Sequence, residues 1–157
     1  MSSAADGARY ATAEESFLAR TRSDGECVIW TGSLYPNGYG TIYVNRRSVR
    51  AHRYAWERAN GEIPAGMTID HMCHNRACVN VEHLRVVTNA QNQQNRKGAN
   101  SLSKTGIRGV YQHTQTGRWV ASAQVDGSRV SRLFPTREEA ERAVLDMRRT
   151  MMPFSTN

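Results

Sequence analysis

The sequence predicts an α+β protein built in two small parts, and three observations predict it. Short runs rich in Val, Ile, Tyr and Trp, bounded by Gly, Pro and Asn, read as strands. Thr12 with Glu15, and Thr136 with Glu139, are spaced as helix-opening capping boxes. A stretch dense in Cys, His and Asn runs from His71 to His83, in a chain whose apolar residues make up only 39%. Ordinary domains carry roughly 45–50% apolar residues, so the cores are modest and need extra fastening. At 157 residues the chain has the size of one average domain or two small ones, which excludes a large multidomain enzyme.

In chain order, residues 1–10 read as a disordered tail, and a short helix opens at Thr12 and runs through Phe17, Leu18 and Arg22 to stop near Asp24-Gly25. Cys27–Trp30, Tyr39–Val44 and Ser48–Ala51 then read as an antiparallel meander with turns at Pro36-Asn37-Gly38 and Asn45-Arg46. His52–Asn60 forms a helix closed by Gly61, and Met67–Asp70 one more strand. Thr88 opens a polar helix through Asn95, and residues 97–105 form an exposed linker. Beyond it, Gly109–Tyr111, Arg118–Val125 and Ser128–Phe134 form a three-stranded antiparallel sheet with turns at Thr116-Gly117 and Asp126-Gly127. A helix from Thr136 buries Ala140, Ala143, Val144 and Met147. The expected parts are 1–25 (tail and short helix), 26–96, the linker, and 106–150.

Lys and Arg number 21 against 14 acidic residues, a net charge of +7 that favours a polyanionic partner, nucleic acid or an acidic membrane surface. No apolar run approaches about 18 residues, so nothing is expected to span a bilayer. Met1–Arg9 is small and polar without the apolar stretch of a secretory signal, which makes a reducing cytoplasm the expected compartment.

Three cysteines in a reducing compartment argue against a disulfide framework. Cys73, Cys78 and His83 are spaced five apart, which lets a loop fold around a tetrahedral ion, and Cys27 supplies a fourth ligand. Zinc favours such a set, and a site closed by four protein ligands is structural. The competing reading is three buried cysteines and a surface histidine.

Asp70-His71 lies outside that spacing. A carboxylate beside an imidazole, with Asn92 on the following helix, offers oxygen ligands for Mg²⁺ or a similar cation and a base of suitable pKa. Phosphodiester hydrolysis needs those parts.

Together, Asp70-His71, Cys73, Cys78, Asn80, His83-Leu84 and Asn92 resemble the HNH endonucleases with the ββα-metal active site. The Cys-x4-Cys-x4-His run followed by Asn is similar to the His-Cys box homing endonucleases. The resemblance extends upstream to Cys27-Val-Ile-Trp-Thr-Gly, Gly38-Tyr-Gly and Ala51-His-Arg, covering residues 26–96. It implies His71 as general base, Asp70 and Asn92 as ligands of one catalytic Mg²⁺ or Mn²⁺, and Cys27, Cys73, Cys78 and His83 as ligands of structural Zn²⁺. It further implies an Asn that orients the base through its backbone or side chain, a role open to Asn80 or to the position held by His83. Such enzymes place an arginine at the scissile phosphate; Arg46, Arg47, Arg50 and Arg53 are the candidates, with Arg53 favoured.

The C-terminal part, through Gly106-Ile-Arg-Gly-Val-Tyr, Gly117-Arg-Trp and Phe134-x-Thr-x-Glu-Glu-Ala, resembles the three-stranded DNA-binding domain of plant ethylene-response factors. Between Lys104 and Arg132 stand five basic residues and one acidic residue, a net +4. Arg108, Arg118, Arg129 and Arg132 suit a sheet laid in a major groove, with Trp119 packing on the helix or touching DNA.

The sequence therefore points to a metal-dependent endonuclease on double-stranded DNA, phage- or intron-encoded and of homing type, as a monomer or a homodimer. The alternatives are a non-catalytic zinc-containing DNA-binding regulator and a zinc-stabilised protein-interaction module. Retention of Asp70, His71 and Asn92 together favours the enzyme.

Overall fold

The computed structural model describes residues 12–155 apart from Lys97, Asn100, Leu102 and Asp126. The expected N-terminal tail, part of the linker and Asp126 of the last turn lie outside the described residues. By packing, the chain forms two units: residues 1–65 with 71–86, and residues 66–70 with 87–157. This division differs from the expected one, because the helix carrying Asn92 goes with the C-terminal sheet rather than with the cysteines.

In the first unit, Thr12 and Glu15 cap α1 (Ala13–Ala19) reciprocally, as their spacing predicts. The helix stops earlier than expected. Thr21–Asp24 is instead β1, paired antiparallel with β2 (Cys27–Trp30). Its composition is a poor strand signal, and the partner strand sets its conformation. A second ribbon pairs β3 (Thr41–Val44) with β4 (Arg47–Arg50), so the expected meander is two separate ribbons. Asn45 and Arg46, with φ of 47° and 62°, make the tight turn that joins it.

Helix α2 (Ala51–Asn60) follows directly and ends at Gly61. Phe17, Trp30, Ile42, Ala51, Ala55 and Val79 form the core. Phe17 stacks on Trp30 with ring centroids 5.7 Å apart. Gly40 is required by this packing, since a Cβ there would meet the Trp30 ring at 2.6 Å and Ala51 at 2.9 Å.

After β5 (Thr68–His71), the cysteine loop passes through a 3₁₀ turn at Val81–His83 into β6 (Leu84–Val87). The sequence reading missed this strand, although Val86 and Val87 are β-branched and the run ends at a helix cap.

In the second unit, Thr88 and Gln91 form a capping box on α3 (Asn89–Gln94). Strands β7 (Val110–Gln112), β8 (Trp119–Val125) and β9 (Ser128–Phe134) form the expected three-stranded antiparallel sheet. Helix α4 (Arg137–Met151), capped by Thr136, buries Ala140, Val144 and Met147 against Val110, Ala121 and Ala123. Gly109 has φ +82° and a Cβ there would meet the Ser122 carbonyl oxygen at 2.2 Å, so the close approach of the chain to β8 requires glycine.

Candidate metal centre and active site

Backbone pairing places the first cysteine. Trp30 N–H donates to Ala77 O at 2.8 Å and Val79 N–H to Val28 O at 2.7 Å, bridging Ile29 to Cys78. The loop thus lies along β2, and Cys27 comes beside Cys78 although 51 residues separate them in the chain. Met72 N–H donates to His83 O at 2.9 Å and draws the other end in.

The ligand atoms of Cys27, Cys73, Cys78 and His83 lie within 4.8 Å of one another. His83 Nδ1 is 3.4 Å from Cys27 Sγ and 3.6 Å from Cys78 Sγ. All four expected zinc ligands are therefore brought together. Burial, together with Cys78 and Cys73, pushes the Cys27 thiol up to about 12, and burial raises Cys73 as well. Three thiols this close cannot share thiolate charge without a cation, so the donor set fits a soft-ligand divalent ion such as zinc.

His71 sits on the last residue of β5 and is 5% exposed. Its Nε2 lies 3.0 Å from the backbone oxygen of Cys78. A carbonyl only accepts, so Nε2 carries the proton and Nδ1 is the basic nitrogen of the neutral ring. The residue offering a thiol to the metal cluster thereby fixes the tautomer of the expected base.

Asn80 is committed elsewhere. Its Oδ1 accepts from Glu82 N–H at 3.1 Å and its Nδ2 donates to Glu26 O at 2.8 Å, which caps the 3₁₀ turn and ties it to the β1–β2 hairpin. The orienting contact to His71 comes from the Cys78 carbonyl rather than from the Asn80 side chain.

Arg53 pairs with Glu57 on the same helix at 3.8 Å. Arg50 stands over Tyr39, its guanidinium 4.7 Å from the ring centroid, and that ring is 5.7 Å from that of His71. Arg76 covers the same tyrosine at 5.5 Å. Sequence reasoning missed His52, whose ring is 4.7 Å from that of His71; the Ala51-His-Arg segment was the available signal.

In the second unit, Asp70 is 6% exposed and both of its carboxylate oxygens accept from Asn95 Nδ2 at 3.0 Å. Asn92, the expected partner of Asp70, stands half-buried on α3 one turn earlier. Asn95 was missed because it lies past the helix end, where an amide reads as an ordinary cap.

The expected DNA-contacting residues divide by strand register. Directly paired residues share a face, and alternate residues oppose it. Arg129 pairs with Gln124, and Val120 pairs with Tyr111 on one side and Leu133 on the other, on the face away from α4. Arg118 continues that alternation and is exposed. Arg129 also donates to Ser122 Oγ at 2.8 Å and to the Tyr111 hydroxyl at 3.0 Å. Arg132 pairs with buried Ala121, which turns it to the other side, and Trp119 packs on the α4 core. Arg108 is half-buried and donates to the carbonyls of Gln93 at 2.8 Å, Gln94 at 3.0 Å and Arg96 at 2.7 Å. Its guanidinium closes the end of α3.

With the cluster and the imidazole placed, comparison shows what part of the chain resembles known proteins. Residues 49–94 match the HNH endonuclease model. That HNH stretch includes Asp70, His71, Cys73, Cys78, His83 and Asn92, while Cys27 and Asn95 lie outside it. The chain is 36% identical to Protein 7.7 of Escherichia phage T7 over 69 residues, covering 44% of this chain and 53% of that protein. It is 30% identical to Protein 3.8 of the same phage over 81 residues, covering 52% of this chain and 66% of the relative. A 36-residue stretch is 56% identical to the Uncharacterized gene 5.3 protein of Enterobacteria phage T3, covering 23% of this chain and 36% of that one. The chain therefore spans only part of the length of each of these relatives. No solved structure matches it. The similarity to HNH endonucleases therefore lies in residues 49–94, and the relatives are phage proteins. No helix among the described residues is long and apolar enough to cross a membrane.

Proposed function

We propose that this protein is a metal-dependent, phage-type DNA endonuclease in which His71 is the general base. The observation that carries this reading is the double role of Cys78. Its thiol belongs to the four-residue cluster and its carbonyl orients the imidazole, so ordering the cluster also fixes the base.

Zn²⁺ is the ion that Cys27, Cys73, Cys78 and His83 suit, and its part would be to hold the loop in one shape. Asp70 and Asn92 are the proposed ligands of a catalytic Mg²⁺ or Mn²⁺, with Asn95 orienting the Asp70 carboxylate. That cation would supply charge neutralisation at the scissile phosphate. His71 takes the proton of the attacking water at Nδ1, keeping its Nε2 proton on the Cys78 carbonyl. Arg50 replaces Arg53 as the arginine we assign to the phosphate, because Arg53 is paired with Glu57 while Arg50 stands over Tyr39 beside the imidazoles.

The sheet of the second unit is proposed to bind double-stranded DNA through Arg118 and Arg129 on its open face. Arg108 is left out of that set because its donors go to backbone carbonyls, and Arg132 and Trp119 because they lie on the α4 side of the sheet. A plasmid-nicking assay with Mg²⁺ against EDTA tests the proposal. Cation-dependent nicking supports it, and DNA binding without cleavage under any divalent cation would leave a zinc-containing DNA-binding regulator instead.

A further inference from the structure

Among the described residues, Nδ1 of His52 is a buried polar atom with no hydrogen-bond partner in the protein. His52 is 4% exposed on the first turn of α2. Its ring stands edge-on to His71, with centroids 4.7 Å apart and planes at 66°. Tyr39 flanks both imidazoles, 5.2 Å from His52 and 5.7 Å from His71. The groups that bear on His52 from these elements are His71, Arg50 and Arg53, all cationic when charged. Burial first, and then that company, hold the His52 imidazole down at about 3, so it is neutral at working pH.

A neutral imidazole brings one N–H and one lone pair, and leaving either unmet in a core is unfavourable. A phenylalanine would fill the same space without that cost. Buried polar atoms without partners call for a role, and a role in binding is the one this neighbourhood offers. Beside it are the expected base, an aromatic wall, and two guanidinium groups, Arg50 and Arg76, set around Tyr39.

We propose that His52 is a catalytic residue of this site: its Nδ1 hydrogen-bonds the water that His71 deprotonates and holds it for attack on a phosphodiester. This inference rests on the nuclease reading above. One O–H bond of the water breaks, its proton goes to His71 Nδ1, and the oxygen lone pair forms the new bond to phosphorus. The bond from phosphorus to the departing sugar oxygen breaks, and that oxygen takes a proton from solvent. His52 keeps its own protonation state throughout and contributes only the second hydrogen bond that fixes the direction of the nucleophile.

Three substitutions in the full-length, zinc-loaded protein test it. His52→Asn places an amide where Nδ1 stands, His52→Gln places one where Nε2 stands, and His52→Phe keeps the ring without a polar atom. Single-turnover plasmid nicking at saturating DNA is expected to fall roughly 100-fold or more in the Phe and Gln variants and to return to within about 10-fold of wild type in the Asn variant. Zinc content and plasmid affinity should be unchanged across the series. Wild-type rates in His52→Phe, or no advantage of Asn over Gln, would overturn the proposal while leaving the nuclease reading intact. Wild type that fails to nick under every divalent cation would overturn both. A readout independent of cleavage is the imidazole ¹⁵N NMR spectrum of the zinc-loaded wild type. A hydrogen-bonded shift for His52 Nδ1 supports the role, and an unbonded shift contradicts it.

Discussion

Cys78 joins two parts of the site at the scale of one residue: its side chain belongs to the metal cluster and its backbone oxygen sets the tautomer of His71. The consequence is that zinc loss and base misorientation should appear together. Replacing Cys73 or Cys78 with Ser is expected to lose the metal and unfold the first unit, because metal binding supplies much of the folding free energy of small sites. Metal analysis and circular dichroism of the purified variants check this; a variant that is metal-free yet folded and active contradicts it.

His52 gives a second residue-scale prediction. Its pKa is about 3 in the folded protein, against an ordinary value near 6.5. The unfolded chain therefore binds the proton first, and the stability contributed by the neutral ring is full above pH 6.5 and lost as pH falls toward 3. The loss is about 1.4 kcal/mol per pH unit, so from pH 6.5 to 5 wild type should lose about 2 kcal/mol more than His52→Asn. Urea denaturation at the two pH values measures it, and equal losses in both proteins would contradict the assignment.

Single elements owe their placement to few contacts. The end of α3 is held by Arg108, whose guanidinium meets three carbonyls, and by Arg148, which donates to the Arg108 oxygen. Arg108→Ala should destabilise the second unit by about 1–3 kcal/mol, from loss of these charged hydrogen bonds. The salt dependence of DNA binding should stay as it is. Arg118→Ala and Arg129→Ala should each do the reverse, lowering the salt slope by about one while stability changes little. Binding titrations across salt, beside urea denaturation, separate the two classes.

Much of this element structure was legible because it follows local rules: the Thr12–Glu15 capping box, the Thr136 cap, the Asn45-Arg46 turn, the α4 face and the three C-terminal strands. Thr21–Asp24 was not, since a strand of that composition exists only through its pairing with Cys27–Trp30. The five-residue spacing made the grouping of Cys73, Cys78 and His83 legible, and the fold brings Cys27 to them. The orienting carbonyl of Cys78 was invisible because a backbone atom leaves no signature in residue type. Arg108 looked like a DNA contact because charge alone does not tell a solvated arginine from one turned inward.

At the scale of the whole molecule, a basic chain of modest apolar content gains order from a metal-type cluster in one unit and from a small sheet-and-helix core in the other. The proposal places the base and the cysteine cluster in the first unit, and the proposed cation ligands Asp70 and Asn92 and the DNA-binding sheet in the second. Affinity and cleavage should therefore separate by mutation. The most direct measurement is plasmid nicking by zinc-loaded wild type and His71→Ala, with Mg²⁺ and with EDTA, at DNA concentrations that saturate both. The account predicts Mg²⁺-dependent nicking by wild type and a loss of about 10²–10⁴-fold in the variant at unchanged affinity. Equal rates in the two proteins would contradict it.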